Sequence, residues 1–174
     1  MLFSSLAFAA SSLAFVVQGI PATGPSDLDV LHEYTSRDGV SNITIYGRST
    51  QPDTSPLEAV TDLNQKRSCD GTVVCDNHHT ADRAACGHLI DDLRGDKAVL
   101  GQSPRAICGT YGGEVCCVSW HKVVSGATRD SLVYAAQKAY DACWGDTGIS
   151  AKVHSTLIGQ TCTDQCMSNR ATHC

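Results

Sequence analysis

The chain has 174 residues, enough for one ordinary domain and little more. It carries 13 basic against 18 acidic residues, a formal charge of −5, and this balance disfavours nucleic acid as a partner. Aromatic residues make up only 6% of the chain while ten residues are cysteine, so a thin core must be supported by covalent cross-links.

The first stretch, Met1 to Val17, has no charged side chain and ends in small residues at Val17-Gln-Gly19. A membrane span needs about 20 apolar residues, so this shorter run reads as a secretory signal peptide over residues 1–19. It departs from the usual pattern in lacking Lys or Arg before the apolar run. No other stretch is apolar enough to span a bilayer stably.

Residues 20–67 contain no cysteine and are acidic: Asp27, Asp29, Glu33, Asp38, Asp53, Glu58 and Asp62 stand against Arg37, Arg48, Lys66 and Arg67. They end in the pair Lys66-Arg67, the kind of dibasic site that proteases of the secretory pathway cut. The composition changes at the same place. Residues 20–67 therefore read as a pro-segment and 68–174 as a disulfide-rich mature domain. Within the pro-segment, Leu31 to Tyr46 reads as a β-hairpin. Asp38-Gly39 supplies the turn, and Ile43 and Ile45 alternate with Thr44 and Tyr46. Asn42-Ile-Thr44 is a glycosylation sequon. The hairpin either pairs with the later domain as a folding aid or, if the dibasic site is not used, stays attached as extra strands. Gln51 to Pro56 reads as a linker.

The ten cysteines are Cys69, Cys75, Cys86, Cys108, Cys116, Cys117, Cys143, Cys162, Cys166 and Cys174. An even count in an exported chain reads as a disulfide framework, although spacing alone leaves the pairing open. Thr72 to Asp76 is a short apolar run, a first strand. Thr80 is placed to cap a helix with Asp82 in its first turn. Ala85, Cys86, Leu89, Ile90 and Leu93 then fall at helical spacing until Gly95. Pro104 introduces a hairpin of Ala106–Thr110 and Val115–His121 around Gly112-Gly113, since tight turns that match strand twist need positive φ. Side chains alternate faces along a strand, so Cys116 and Cys117 point to opposite faces and need different partners. One is expected to reach a helix cysteine, Cys86 or Cys143. The other is expected to hold a terminal segment against the open face.

Thr128 caps a second helix with Asp130 in its first turn, and Leu132, Val133, Ala136, Tyr140, Cys143 and Trp144 form its apolar stripe up to Gly145. Ile149-Ser-Ala-Lys-Val-His154 alternates and reads as a last strand. The tail from Cys162 through Cys166 to Cys174 reads as a stapled loop or a short helical turn. The fold class is therefore α+β: a small disulfide-rich α/β sandwich in which split β-α-β units (βαββαβ) form one antiparallel sheet with two helices on one face. Five disulfides at ~2–4 kcal/mol each would compensate for the thin core.

Ser103-Pro-Arg-Ala-Ile-Cys108, Cys116-Cys-Val-Ser-Trp120 and Cys162-Thr-Asp-Gln-Cys-Met-Ser-Asn-Arg170 with Cys174 resemble the fungal secreted proteins known as the WD-like domain family. Glu33-Tyr-Thr-Ser-Arg-Asp-Gly-Val and Ile43-Thr-Ile-Tyr-Gly47 are similar to it too, so the resemblance covers roughly 31–174. No propeller repeat is present in spite of the name. The resemblance implies a fungal, secreted, cysteine-rich protein and no particular activity. In architecture the dibasic site, the ten cysteines and the element order resemble the killer toxins of smut fungi, small α/β sandwiches that inhibit competing fungi. Those toxins are often basic, whereas this domain is slightly acidic.

The sequence offers weak catalytic motifs. Asp146-Thr-Gly148 matches an aspartic-protease triplet, but such a site needs two facing aspartates and the chain has one copy. Asp91-Asp92 reads as a solvated helix face, since helix neighbours do not converge on one substrate. Glu114, the only glutamate after residue 68, sits at a hairpin tip, so a glycosidase pair would have to come from scattered aspartates. His78-His79 near Cys75, and His173 beside Cys174, lack the paired thiolate spacing of structural zinc. Gly109-Thr-Tyr-Gly-Gly reads as a turn and not as a phosphate loop. Ser119 or Cys117 beside His121 lacks a third, orienting group. The expectation is no catalytic residue, no metal and no cofactor. The function expected is that of a secreted effector or killer-toxin-like antagonist, bound to an unknown protein or cell-surface component of a host or competitor. The alternatives are an inhibitor of proteases or hydrolases, or a small hydrolase with an unrecognised site.

Overall fold

The computed structural model describes residues 28–48, 69–124, 126–143, 145, 148–172 and 174. The signal peptide, the linker at 51–56, the dibasic pair Lys66-Arg67 and the residues Trp144, Asp146 and His173 lie outside them.

Three hairpins and one further strand build the sheet. β1 (Asp29–Thr35) and β2 (Asn42–Gly47) come first, then β3 (Thr72–Cys75) and α1 (Arg83–Leu93). β4 (Pro104–Tyr111) and β5 (Glu114–Trp120) follow, and then a 3₁₀ turn (Arg129–Leu132) leads into α2 (Val133–Ala142). β6 (Ala151–Ile158) and β7 (Thr161–Ser168) complete the order. All seven strands join one antiparallel sheet in the spatial order β1-β2-β4-β5-β7-β6-β3. Both helices cover the same face. Leu89 and Leu93 of α1, with Leu132, Ala136 and Ala139 around α2, share one buried cluster with Ile43, Ile107, Val118, Val153 and Met167 of the sheet.

The α+β class with two helices on one face is thus present, and β3, α1, β4, β5, α2 and β6 run in the expected order. One element differs. The tail after Cys162, expected as a loop or helical turn, is the strand β7, and it lies between β5 and β6. Its inward side chains are Thr163, Gln165 and Met167, opposite Trp120 and Val118 of β5. Two of those three are polar, so the alternation of apolar and polar residues that betrays a strand is missing. Gln165 stays inside because its Nε2 donates to Leu132 O at 2.9 Å.

Two helix starts show how local chemistry decides. α1 is capped by Asp82, whose carboxylate accepts from Ala85 N at 2.9 Å, and not by Thr80. Ala81 is drawn into a bridge with Ile149, so the chain turns helical only after it. Thr128 does stand at the start of the 3₁₀ turn, where its N–H donates to Ser131 Oγ. The β4–β5 hairpin turns at Gly112 and Gly113, both with positive φ (59° and 89°), the conformation that glycine adopts at least cost.

Residues 28–48 are part of this sheet. β2 pairs along β4 from Asn42 opposite Thr110 to Gly47 opposite Pro104, and Ile43 and Ile45 enter the common core. The hairpin thus pairs with the later domain in the uncut chain, which both readings of it require.

Candidate interaction surface

The cysteines frame the sheet first. Cys86–Cys116 ties α1 to the inner face of β5. Cys117, one residue on, faces the other way and bonds Cys108, its direct partner on β4, with a Cα separation of 4.0 Å. Cys75–Cys143 ties the edge strand β3 to the end of α2, and Cys69–Cys162 ties the segment before β3 to β7. Cys166–Cys174 folds the tail over the outer face, where Cys174 N donates to Ser119 Oγ at 3.3 Å. The bond from Cys116 to a helix cysteine agrees with the alternation argument. Cys117 does not hold a terminal segment as expected, because Cys108 already sits opposite it in register.

The hairpin β1–β2 is held by a second, non-covalent device. Its turn, Ser36 to Ser41, sits on the C-terminal end of α1. Helix ends leave their last carbonyls without partners in the helix. Arg37 Nη2 supplies donors to Asp91 O at 3.1 Å, to Asp92 O and to Arg94 O at 2.6 Å. A cation there also meets the negative end of the helix dipole. In return the Asp92 carboxylate accepts from Arg37 N at 3.0 Å and from Tyr34 Oη at 3.2 Å. Tyr34 Oη accepts from Arg129 Nη1 at 2.9 Å, and the same nitrogen reaches Asp96 Oδ2 at 3.1 Å. The Arg129 guanidinium lies 5.0 Å from the Tyr34 ring centre. Burial pushes the Tyr34 hydroxyl up to about 12, aided by the negative Asp92 and opposed by Arg129. Asp38 pairs with His88 at 3.2 Å, and hydrogen bonds from Ser36 and Val40 hold its carboxyl below the ordinary range.

Asp92 therefore corrects the expectation of a solvated pair. Its side chain is 4% exposed while that of Asp91 is 76% exposed. They diverge, as helix neighbours must, but Asp92 points into the hairpin. The signal was legible: Asp92 follows Leu89 by three residues and so shares its face.

The outer face of the sheet is polar. A shallow groove of about 480 Å³ runs along Glu33, Thr35, Asn42, Thr44 and Thr110, with Tyr34 at its side. Asn42 is exposed, and its sequon partner Thr44 lies on the same face. Further across, Asp164 gathers Lys152 Nζ at 3.1 Å, His154 Nδ1 at 3.5 Å and Ser155 N at 3.0 Å. Burial alone would raise the Asp164 carboxyl; the bonds from Ser155 and Lys152 outweigh it and hold it below the ordinary range.

Cys117 is oxidised to Cys108, and Ser119 is 3% exposed beneath Cys174. Neither is presented as a nucleophile. Glu114 is exposed beside the glycine turn. His78 and His79 are exposed, and Cys75 is committed to Cys143. Among the described residues no group of three or more His, Cys, Asp or Glu is placed to hold a metal ion. No described helix is long and apolar enough to cross a membrane.

These features define a small α+β protein framed by disulfides, with polar surfaces on both hairpin and sheet. The chain belongs to the family described as Fungal WD-like, whose model matches residues 5–174. No curated protein and no solved structure matches it, so the resemblance to smut killer toxins, drawn from the dibasic site, the ten cysteines and the element order, is not confirmed.

Proposed function

We propose that the protein is secreted and acts by binding a protein or cell-surface component of a host or competitor organism, as an effector or antagonistic toxin. The observation that carries this reading is the bracing of the sheet from both sides: Cys86–Cys116 on the inner face of β5 and Cys108–Cys117 on the outer. A binding surface held on a covalent frame keeps its shape without a large core, and so persists where proteases and dilution are the hazards. Membership of a fungal, cysteine-rich family supports the same reading. Export through a cleaved signal peptide and a glycan on the exposed Asn42 belong to the proposal.

The test is a growth or tissue-response assay with purified protein on competitor fungi and host tissue. Native protein should act and reduced, alkylated protein should not. His121→Ala and Asp91→Ala, which leave the frame intact, should keep at least half of the effect. If either abolished the effect in a protein with normal disulfides, an enzyme would be the better reading.

A further inference from the structure

All five disulfides lie within residues 69–174, and none reaches the hairpin β1–β2. The hairpin nevertheless completes the domain. Ile43 is 0% exposed and Ile45 6%. The domain is shaped to receive them. A Cβ on Gly109 would lie 3.3 Å from Ile43 Cδ1 and 3.4 Å from Leu89 Cβ, so the glycine leaves the space that Ile43 fills. Without the hairpin, β4 would present an unpaired edge, a template for aggregation. The end of α1 would lose the donors of Arg37, and Asp92 would be left as a carboxylate without its two donors.

We propose that when the chain is cut after Arg67, the hairpin stays in place, and that the working protein is two chains: an N-terminal peptide bearing β1–β2 and a disulfide-framed partner seated on it. The inference rests on the reading of Lys66-Arg67 as a processing site. The peptide is then a subunit and not a discarded leader. Its retention depends on Arg37 and Asp92 at the end of α1 and on the two isoleucines in the core.

The test separates the cut from the retention. Full-length protein carrying a viral-protease recognition sequence in place of residues 62–67 is cleaved after folding. It is then run on size exclusion in native buffer and by mass under denaturing, non-reducing conditions. The two peptides should co-elute in native buffer and separate only on denaturation. Arg37→Ala should speed the release of the peptide at least tenfold. Free hairpin peptide in the native run of the unsubstituted protein, whether the remainder stays folded or aggregates, overturns the proposal. Intact mass of culture-derived protein tests the first step. Two chains are expected, and a single uncut chain overturns the two-chain form while leaving the docking result to stand by itself.

Discussion

Replacing Asp92 by alanine should unfasten the hairpin from α1. The carboxylate is 4% exposed on its side chain and accepts two hydrogen bonds, from Arg37 N at 3.0 Å and Tyr34 Oη at 3.2 Å. Hydrogen bonds to a charged group contribute ~1.5–3 kcal/mol each, and the longer one belongs at the low end. The ion pair with Arg37 is long, 3.9 Å, and its guanidinium is more than half exposed, so it adds less than ~1 kcal/mol. Tyr34 keeps Arg129 as a partner, but the Arg37 N–H is left without one. Asp92→Ala should therefore cost about 3 kcal/mol, a large share of the ~5–15 kcal/mol that holds a domain. Asp92→Asn, which keeps the shape and part of the accepting capacity, should cost roughly half. Asp91→Ala, at an exposed position, should stay within ~0.5 kcal/mol. Urea unfolding of the three variants, followed by tryptophan fluorescence, gives the comparison. Equal midpoints for Asp91→Ala and Asp92→Ala would refute the reasoning.

Acid should destabilise the protein in a defined window. Asp38, Asp130 and Asp164 all titrate below their ordinary range, so the folded state binds protons less readily than the unfolded one. Their contribution is present above about pH 4 and is lost as pH falls through and below it, so the urea midpoint should drop there; a midpoint that rises on acidification contradicts the assignment. Gly148→Ala should lower the melting temperature sharply, because φ is +108° and the new Cβ would stand 2.4 Å from Ala81 O, whereas Gly39→Ala meets no atom within 4 Å and should cost only about 1 kcal/mol of backbone strain. Removing Cys69–Cys162, which spans 93 residues, should cost about 4–5 kcal/mol against less than about 3 for Cys166–Cys174, which spans 8; calorimetry of the two double Cys→Ser variants tests the order.

The legible parts of the fold were those where one residue type carries one physical demand. Gly112-Gly113 announced the turn between β4 and β5, and Asp38-Gly39 announced the turn between β1 and β2. The doublet Cys116-Cys117 announced bonds on two faces. Other features depended on partners far along the chain. β7 hides its register because Thr163 and Gln165 are polar yet buried, and Gln165 is accepted only through the carbonyl of Leu132. For Asp92 the spacing from Leu89 gave away the buried face, but its partners Arg37 and Tyr34 come more than fifty residues earlier and were not visible. Thr80 lost the helix cap to Asp82 because Ile149 claims Ala81. Of the candidate surface, the sequon at Asn42 was visible directly, but the cluster around Asp164 was not, since it needs β6 and β7 side by side.

The placement of β7 also constrains the order in which the sheet can close. Ribosomes deliver residues from the N-terminus, and many domains begin to assemble while they emerge. Here β5 and β6 are not neighbours; the gap between them is filled by Thr161–Ser168, which follows every other described strand in the chain. Until those residues arrive the sheet is two separate halves, β1-β2-β4-β5 and β6-β3, with no strand to join them. A chain stopped before Thr161 is left with two open edges, on β5 and on β6, and lacks Cys162, the disulfide partner of Cys69. Closure of the sheet thus waits on one insertion, that of β7 between two strands already made.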